Sequence, residues 1–410
     1  MGIPGEPAEL VRDRTPRRLD RPRPRRPGAT RPAEPAGADV TGRRPRLDAA
    51  TAAIRNALRS FLDTAVARLP ASDSTAEPAA GDPVRLIIAV SGGADSLALA
   101  DAAAFLTTRP AGLTAAGRAV EITAATVDHG LQPASADVCA QVRDHLTDRG
   151  LPTAVLTHPV TAGPEGLEAA ARTTRYLALD DHRRQLGAAA VLTAHTRDDQ
   201  AETVLLGMAR GSGARSLAGM RAVSTVAGCP VWRPLLDITR QQTTASAAAR
   251  HLPVWHDPMN DDPAYARVRA RQQALPALEA ALGPGIADAL ARTAGQLAAD
   301  TDALDHWAAD ASATHTSGTE THASLAALPA AIRTRVLRAW LHTGTGRAQE
   351  VTAAHISAVD DLATGRRLGK VSVPAAAEVV RTRRGQGPAG LRFQPADRRE
   401  NDAPPAADRR

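Results

Sequence analysis

The sequence is short of several residue types. Lysine is nearly absent: of 50 Lys and Arg residues, Lys370 alone is a lysine. Phe, Trp and Tyr make up only 2% of the chain, so the cores must be built mainly from Ala, Leu and Val. The two cysteines, Cys139 and Cys229, lie far apart and in no CxxC. That argues against a disulfide framework, an iron–sulfur site or a cysteine zinc site. No apolar stretch is long enough to span a bilayer and no signal-peptide pattern is present. A soluble, cytoplasmic protein with no membrane partner is expected. What is present is alanine, arginine and enough hydrophobic residues, 43% of 410, for two or three domains. The net charge of +6 is uneven: residues 1–46 hold twelve arginines against six acidic residues. The remainder is close to neutral, so any nucleic-acid surface there must come from local arginine clustering.

The chain is organised around Leu86 to Leu99, LIIAVSGGADSLAL. Leu86 to Val90 form a short apolar run that suits a strand buried on both faces of a parallel sheet. Ser91, Gly92, Gly93, Ala94, Asp95 and Ser96 follow, and Leu97 opens a helix-forming stretch. Glycines let backbone N–H groups approach phosphate oxygens, and a helix N-terminus adds partial positive charge. Ser91 and Ser96 can donate hydroxyl hydrogen bonds. Asp95 would repel bare phosphate, so it is expected to act through Mg²⁺ or a polar substrate group. No lysine follows the glycines, so this is not the G-x-x-x-x-G-K-[ST] loop.

Residues 1–46, rich in Pro and Arg, are expected to be disordered. Helical spacing begins at Leu47 and includes Ile54, Leu58, Leu62 and Val66. Beyond the glycine loop, strands are expected at Val120 to Val127, Thr153 to Leu156 and Ala189 to Thr193. Helices are expected to about Thr107, from Ser135 to Arg149 and from Glu165 to Leu186. Such alternation predicts an α/β fold with a doubly wound parallel sheet. A second cluster follows the last of these strands: His195, Asp198, Asp199 and Glu202. Asp198 and Glu202 are four apart, Asp199 and Glu202 three apart, so they can share a helix face. Packed carboxylates need a balancing cation, which suits nucleotide-bound Mg²⁺ or a substrate amine. The alternative is an acidic first turn favoured by the helix dipole alone.

The loop at Ser91 resembles the SGGxDS pyrophosphate loop of the ATP pyrophosphatase (PP-loop) superfamily. The resemblance narrows with VDHGL at Val127, LEAAARTTRY at Leu167, TAHTRDDQAETVLL at Thr193, RGSGARSLAGM at Arg210, RPLL at Arg233 and HDPMNDD at His256. In order and spacing these are similar to the tRNA(Ile)-lysidine synthetase family. The resemblance implies an adenine nucleotide alpha hydrolase-like catalytic domain and a smaller, mainly helical C-terminal domain. The implied activity is an ATP-dependent carbon–nitrogen ligase. It adenylates the wobble cytidine of tRNA(Ile) with a CAU anticodon, and L-lysine then displaces AMP to give lysidine. This changes decoding from AUG to AUA. The implied cofactors are ATP and Mg²⁺. Ser91, Gly92, Gly93, Ala94, Asp95 and Ser96 would hold ATP phosphates, with Asp95 on the metal. His195, Asp199 and Glu202 would line a shared ATP and lysine site. Arg172 and Arg175 would face it, a solvated helix face being the alternative. The expected layout is a tail at 1–46, a catalytic domain at 47–282, a tRNA-binding domain at 283–393 and a tail at 394–410. The oligomeric state stays open, a homodimer included. Three departures from the family pattern stand out: Met259 in DPMN, the stretch Arg267-Val268-Arg269-Ala270-Arg271 in place of an RNRIR-like one, and Gly365-Arg366-Arg367-Leu368-Gly369-Lys370. In the C-terminal part, helices are expected over 284–310 and from Ala327 to Leu341, the latter carrying Arg333, Arg335 and Arg338. Val371 to Val373 with Glu378 to Arg381 are expected to form a small hairpin.

Overall fold

Leu86, Ile87 and Ile88 are consecutive and apolar, so a strand made of them needs cover on both faces. The computed structural model of the chain provides it: Leu86 and Ile88 enter one apolar cluster and Ile87 another. The structure describes residues 48–69, 82–130, 135–160, 167–211, 213–382 and 390–395. The expected tails, apart from residues 394–395, most of the 71–82 loop, Leu131, Ser212 and the first residues of the Glu165 helix lie outside them.

Helix α1 (Ala49–Ala67) is capped by Asp48, whose carboxylate accepts the Thr51 N–H at 2.8 Å. Strand β1 (Val84–Ala89) leads into α2 (Ala94–Thr107). Then come β2 (Thr114–Ala115), β3 (Arg118–Asp128), α3 (Ser135–Asp148), β4 (Thr153–Thr157), α4 (Leu167–Gln185) and β5 (Ala190–Leu192). These are followed by α5 (Arg197–Ala209), α6 (Gly213–Leu217), β6 (Val223–Val226), β7 (Cys229–Trp232) and α7 (Arg240–Ala249). The seven strands form one sheet in the order β2-β3-β1-β5-β7-β6, with β4 paired to β3. β1 is parallel to β3 and β5, with Ile88 opposite Ala124 and Leu192. β4 and β7 extend the parallel part, while β2 and β6 are antiparallel edges. From β1 the chain goes first to β3 and then to β5 on the other side. The order therefore reverses between β1 and β5, and the crevice at their carboxyl ends is where open α/β sheets bind ligands.

The helices are held to the sheet by apolar cover, and several of them to one another by a buried carboxylate. Asp101 of α2 is 3% exposed and pairs with Arg55 of α1, Arg250 beyond α7 and Arg149 beyond α3. Arg55 also lies 3.4 Å from the Phe105 ring centroid. With so few aromatic residues, each sheet region has one ring pair: Phe61 on Trp232 at 5.9 Å, and Trp340 on Phe393 at 4.3 Å.

After α7 the chain forms α8 (Ala266–Arg269), α9 (Leu275–Leu282) and the long α10 (Ile286–His315). Short strands β8 (Thr316–Ser317) and β9 (Glu320–Thr321) precede α11 (Ala330–Thr345) and α12 (Ala353–Thr364). β10 (Lys370–Val373), β11 (Ala377–Arg381) and β12 (Leu391–Pro395) complete the described chain. The helical part agrees with expectation, and so does the β10–β11 hairpin. No local pattern shows that this hairpin continues into a five-stranded sheet, β10-β11-β12-β9-β8, because β8 and β9 are two residues each. This part has its own apolar cluster, centred on Val336, Leu337, Leu341, Val359 and Val379. Among the described residues, no helix is long and apolar enough to cross a membrane.

Removing the Asp101 charge leaves three guanidinium groups without their shared partner. Asp101→Asn is expected to lower unfolding free energy by about 3 kcal/mol or more. Glu121→Gln, at the exposed Arg85 pair, should change it by about 0.5 kcal/mol or less. Urea unfolding of both variants checks this, and equal small losses would show that Asp101 holds nothing together.

Candidate active site

The apolar run of β1 ends where the chain must turn sharply, and Gly92 makes the turn at φ +83°. A Cβ there would meet Val138 and Val142 of α3 at 3.4 Å. The Gly92 carbonyl accepts the Trp255 N–H at 3.0 Å, which fixes the loop from the far side. Gly93 is the N-cap of α2 and supplies no side-chain cap. The first N–H groups of the helix are therefore left facing the crevice. Ser96 is buried and braces the turn: it accepts the Ser91 N–H at 3.2 Å and donates to the Gly93 carbonyl at 3.0 Å. Ser91 is exposed. Of the two serines expected to meet phosphate, Ser91 is the one presented to solvent.

Asp95 stands in the first turn of α2. Its carboxylate accepts the Thr243 hydroxyl, and the Arg240 Nε lies 3.8 Å away. Burial pushes the Asp95 carboxyl up to about 6; Thr243 and Arg240 oppose this, and Asp199 and Asp198 add to it.

Across the switch point, Thr196 caps α5 in a capping box with Asp199. Asp199 Oδ2 accepts the Thr196 N–H at 2.7 Å, which leaves Oδ1 pointing at Arg240, 2.8 Å away. Arg240 also donates to Glu202 Oε1 at 3.0 Å, and its backbone N–H donates to Asp198 Oδ2 at 2.7 Å. Arg267 reaches Glu202 Oε2 at 2.8 Å from the other side. The starts of α2, α5 and α7 thus converge, and one guanidinium touches carboxylates from two of them. Glu202 is fully buried. Burial raises the Asp199 carboxyl, but Arg240 and Arg267 outweigh it and hold the group below its usual range. Burial lowers the Arg240 guanidinium, but Asp199, Glu202 and Asp95 together raise it above its usual value.

The carboxylate cluster therefore differs from expectation in one respect. Its balancing charge is built in, as Arg240 and Arg267. Neither arginine is signalled as a site residue in the sequence, because they lie 38 and 65 residues beyond Glu202. The stretch read as a departure from RNRIR turns inward. Arg269 binds the carbonyls of Pro263 and Ala264, and Arg271 that of Asn260. Among the described residues, no group of three or more His, Cys, Asp or Glu side chains is arranged to hold a metal by itself.

His195 lies beside this cluster with Nδ1 2.8 Å from the Thr193 hydroxyl. Burial drives its pKa from an ordinary 6.5 to about 3, with Arg233, Arg267 and Arg172 adding to the effect and Asp199 opposing it. His129, at the carboxyl end of β3, is lowered to about 4 by burial and Arg175, whose Nε donates to Nε2 at 3.2 Å. Arg172 lies over the Tyr176 ring, 5.2 Å from its centroid. Both helix arginines are exposed; Arg175 reaches the crevice wall through His129, and Arg172 lies close enough to depress His195. A cavity of about 710 Å³ lies elsewhere, between α5 and α10, lined by Arg197, Gln200, Arg221 and Asp288 and by none of the loop residues.

A family model described as a PP-loop domain matches residues 71–278, and one described as the TilS substrate binding domain matches residues 322–386. The tRNA(Ile)-lysidine synthase of Salinispora tropica is 47% identical over 73% of this chain and 89% of its own. That of Salinispora arenicola is 46% identical over 80% and 93%. That of Streptomyces coelicolor is 47% identical over 76% and 87%. The chain belongs to the tRNA(Ile)-lysidine synthase family. The glycine loop, the carboxylate cluster, Arg240 and Arg267 all fall within the PP-loop match of this family.

Both imidazoles should stay neutral well below pH 6.5. The unfolded chain takes up protons there while the folded one does not, so stability should fall as pH drops from about 6.5 toward 4. Imidazole NMR across this range checks it, with neutral His195 and His129 at pH 5.5 expected. A midpoint near 6.5 for either would contradict the site geometry.

Proposed function

We propose that this chain makes lysidine, using ATP to join free L-lysine to the wobble cytidine of tRNA(Ile) with a CAU anticodon. The observation that carries the reading is the open glycine loop of α2 facing a charge-balanced carboxylate cluster across the sheet's switch point. The relatives' name supplies the reaction class.

In this reading, ATP phosphates lie against the N–H groups at Gly93 to Ser96 and the Ser91 hydroxyl. Mg²⁺ suits this site only together with those phosphates: Asp95 offers one carboxylate, and Mg²⁺ in such sites takes one or two carboxylates plus phosphate oxygens. Held there by Asp95 and the phosphates, Mg²⁺ would offset negative charge on the phosphates. The loop and helix end hold the α-phosphate in line with the cytosine oxygen, which attacks phosphorus and releases pyrophosphate. The lysine amine then attacks the activated cytosine carbon, and AMP leaves. Asp199 and Glu202 receive the lysine ammonium, which competes with Arg240 for their oxygens. His195 is held neutral by burial and Asp199 is held below its usual range by Arg240 and Arg267, so neither stands out as the acceptor of the ammonium proton. Arg172 and Arg175 meet phosphate or substrate carboxylate. Residues 47–282 form the catalytic domain and residues 283–393 the tRNA-binding domain of a cytoplasmic enzyme.

Incubation with CAU-anticodon tRNA(Ile), ATP, Mg²⁺ and isotope-labelled lysine should place the label in lysidine, read by nucleoside mass spectrometry. Asp95→Ala should lower AMP formation at least about a hundredfold with an unchanged melting temperature. AMP formed with no labelled lysidine would move the activity to another member of the superfamily. Full AMP formation by Asp95→Ala would remove Asp95 from the mechanism.

A further inference from the structure

Outside the cleft, α6, α10 and α11 meet at a second concentration of charge. Asp305 of α10 accepts from Arg215 of α6 at 2.7 Å and from Arg335 of α11 at 2.9 Å, both on Oδ1. Arg338, one turn along α11, makes no hydrogen bond or ion pair among the described residues. It is half-buried; burial and the guanidinium groups of Arg215 and Arg335 depress its pKa, and Asp305 only partly compensates. His342, a further turn on, has a buried Nε2 with no partner. Burial and then Arg338 and Arg215 keep its imidazole neutral more strongly than usual. Two guanidinium groups thus bind one carboxylate, and a third stands beside them without a partner among the described residues. The third helix arginine seen in the sequence, Arg333, is different: it is buried and satisfied by Asp360.

A half-buried cation among like charges is unfavourable until an anion joins it. Guanidinium forks match the paired oxygens of a phosphate. Arg215 is 56% exposed on its side chain, so the cluster is open to a large partner. Arg335 and Arg338 lie in the part of the chain matching a substrate-binding domain, and Arg215 in the part matching the PP-loop domain. We infer that the α6–α10–α11 junction seats a backbone phosphate of the RNA substrate, with Arg338 as its anchor and Arg215 beside it. This rests on the tRNA reading above. A phosphate here would bridge the two matched regions and fix the RNA relative to the cleft.

The test is binding of CAU-anticodon tRNA(Ile) by the full chain across a salt series. Arg338→Glu should weaken binding at least about tenfold and reduce the slope of log K against log salt by about one. ATP affinity and melting temperature should match wild type. Arg338→Gln carries the same test, with a smaller loss, if the charge reversal melts early. Arg59→Glu, at an exposed arginine of α1, controls for net charge and should weaken binding less than Arg338→Gln. Wild-type affinity and slope in both Arg338 variants overturn the inference, as does lower stability of Arg338→Gln in step with its lost binding. Inorganic phosphate protecting Arg338, with tRNA binding unchanged in the variants, would assign the site to a small anion instead. Arg338-dependent tRNA binding without lysidine formation would sink only the reaction proposed above. Lysidine formation with Arg338-independent binding would sink only this site.

Discussion

Arg240 is the side chain on which the rest of the cleft depends. Three helices begin at one place, and two of them bring carboxylates there: Asp95 on α2, and Asp198, Asp199 and Glu202 on α5. Helix N-termini favour negative charge, but only in part, and Glu202 is fully buried one turn inside α5. Left alone, the carboxylates would repel one another or take up protons. The third helix, α7, solves this with its first residue. Its N–H meets Asp198 while its guanidinium spans Asp199 and Glu202 and approaches Asp95. Arg267 closes the arrangement from α8.

This arrangement ties fold to chemistry. The reversal of strand order between β1 and β5 puts the glycine loop and the α5 cap on either side of one crevice. The neutral imidazoles keep added positive charge out of it, so its electrostatics belong to arginines, carboxylates and helix ends. A ligand carrying both phosphate and ammonium groups meets a complementary partner for each. An ammonium entering this cluster exchanges one cation for another at Asp199 and Glu202, rather than neutralising an empty acidic pocket.

Local signals in the sequence located most of the first sheet. The apolar run at Leu86, the alternation through Val120 and the helix periods put β1, α2, β3, α3, β4, α4 and β5 within a few residues of their observed bounds, because each depends on near neighbours. Gly92 and Gly93 were legible for the same reason. Arg240 and Arg267 were not, since their roles come from pairings across the fold. The C-terminal sheet was only partly visible. β8 and β9 have too few residues to show a period of two, and β12 joins β11 only after an intervening segment. Arginine identity was a weak guide: Arg333 holds α11 to α12, Arg335 holds α11 to α10, and only Arg338 is left unpaired.

The most direct measurement is carboxyl ¹³C NMR titration of wild type and Arg240→Met. If Arg240 holds the cluster ionised, the Asp199 midpoint, below the usual range in wild type, should move up by at least about one pH unit in the variant, and that of Asp95 should rise from about 6. Unchanged midpoints for both would show that Arg240 does not hold their charge, and the account of the cleft would fail at its centre.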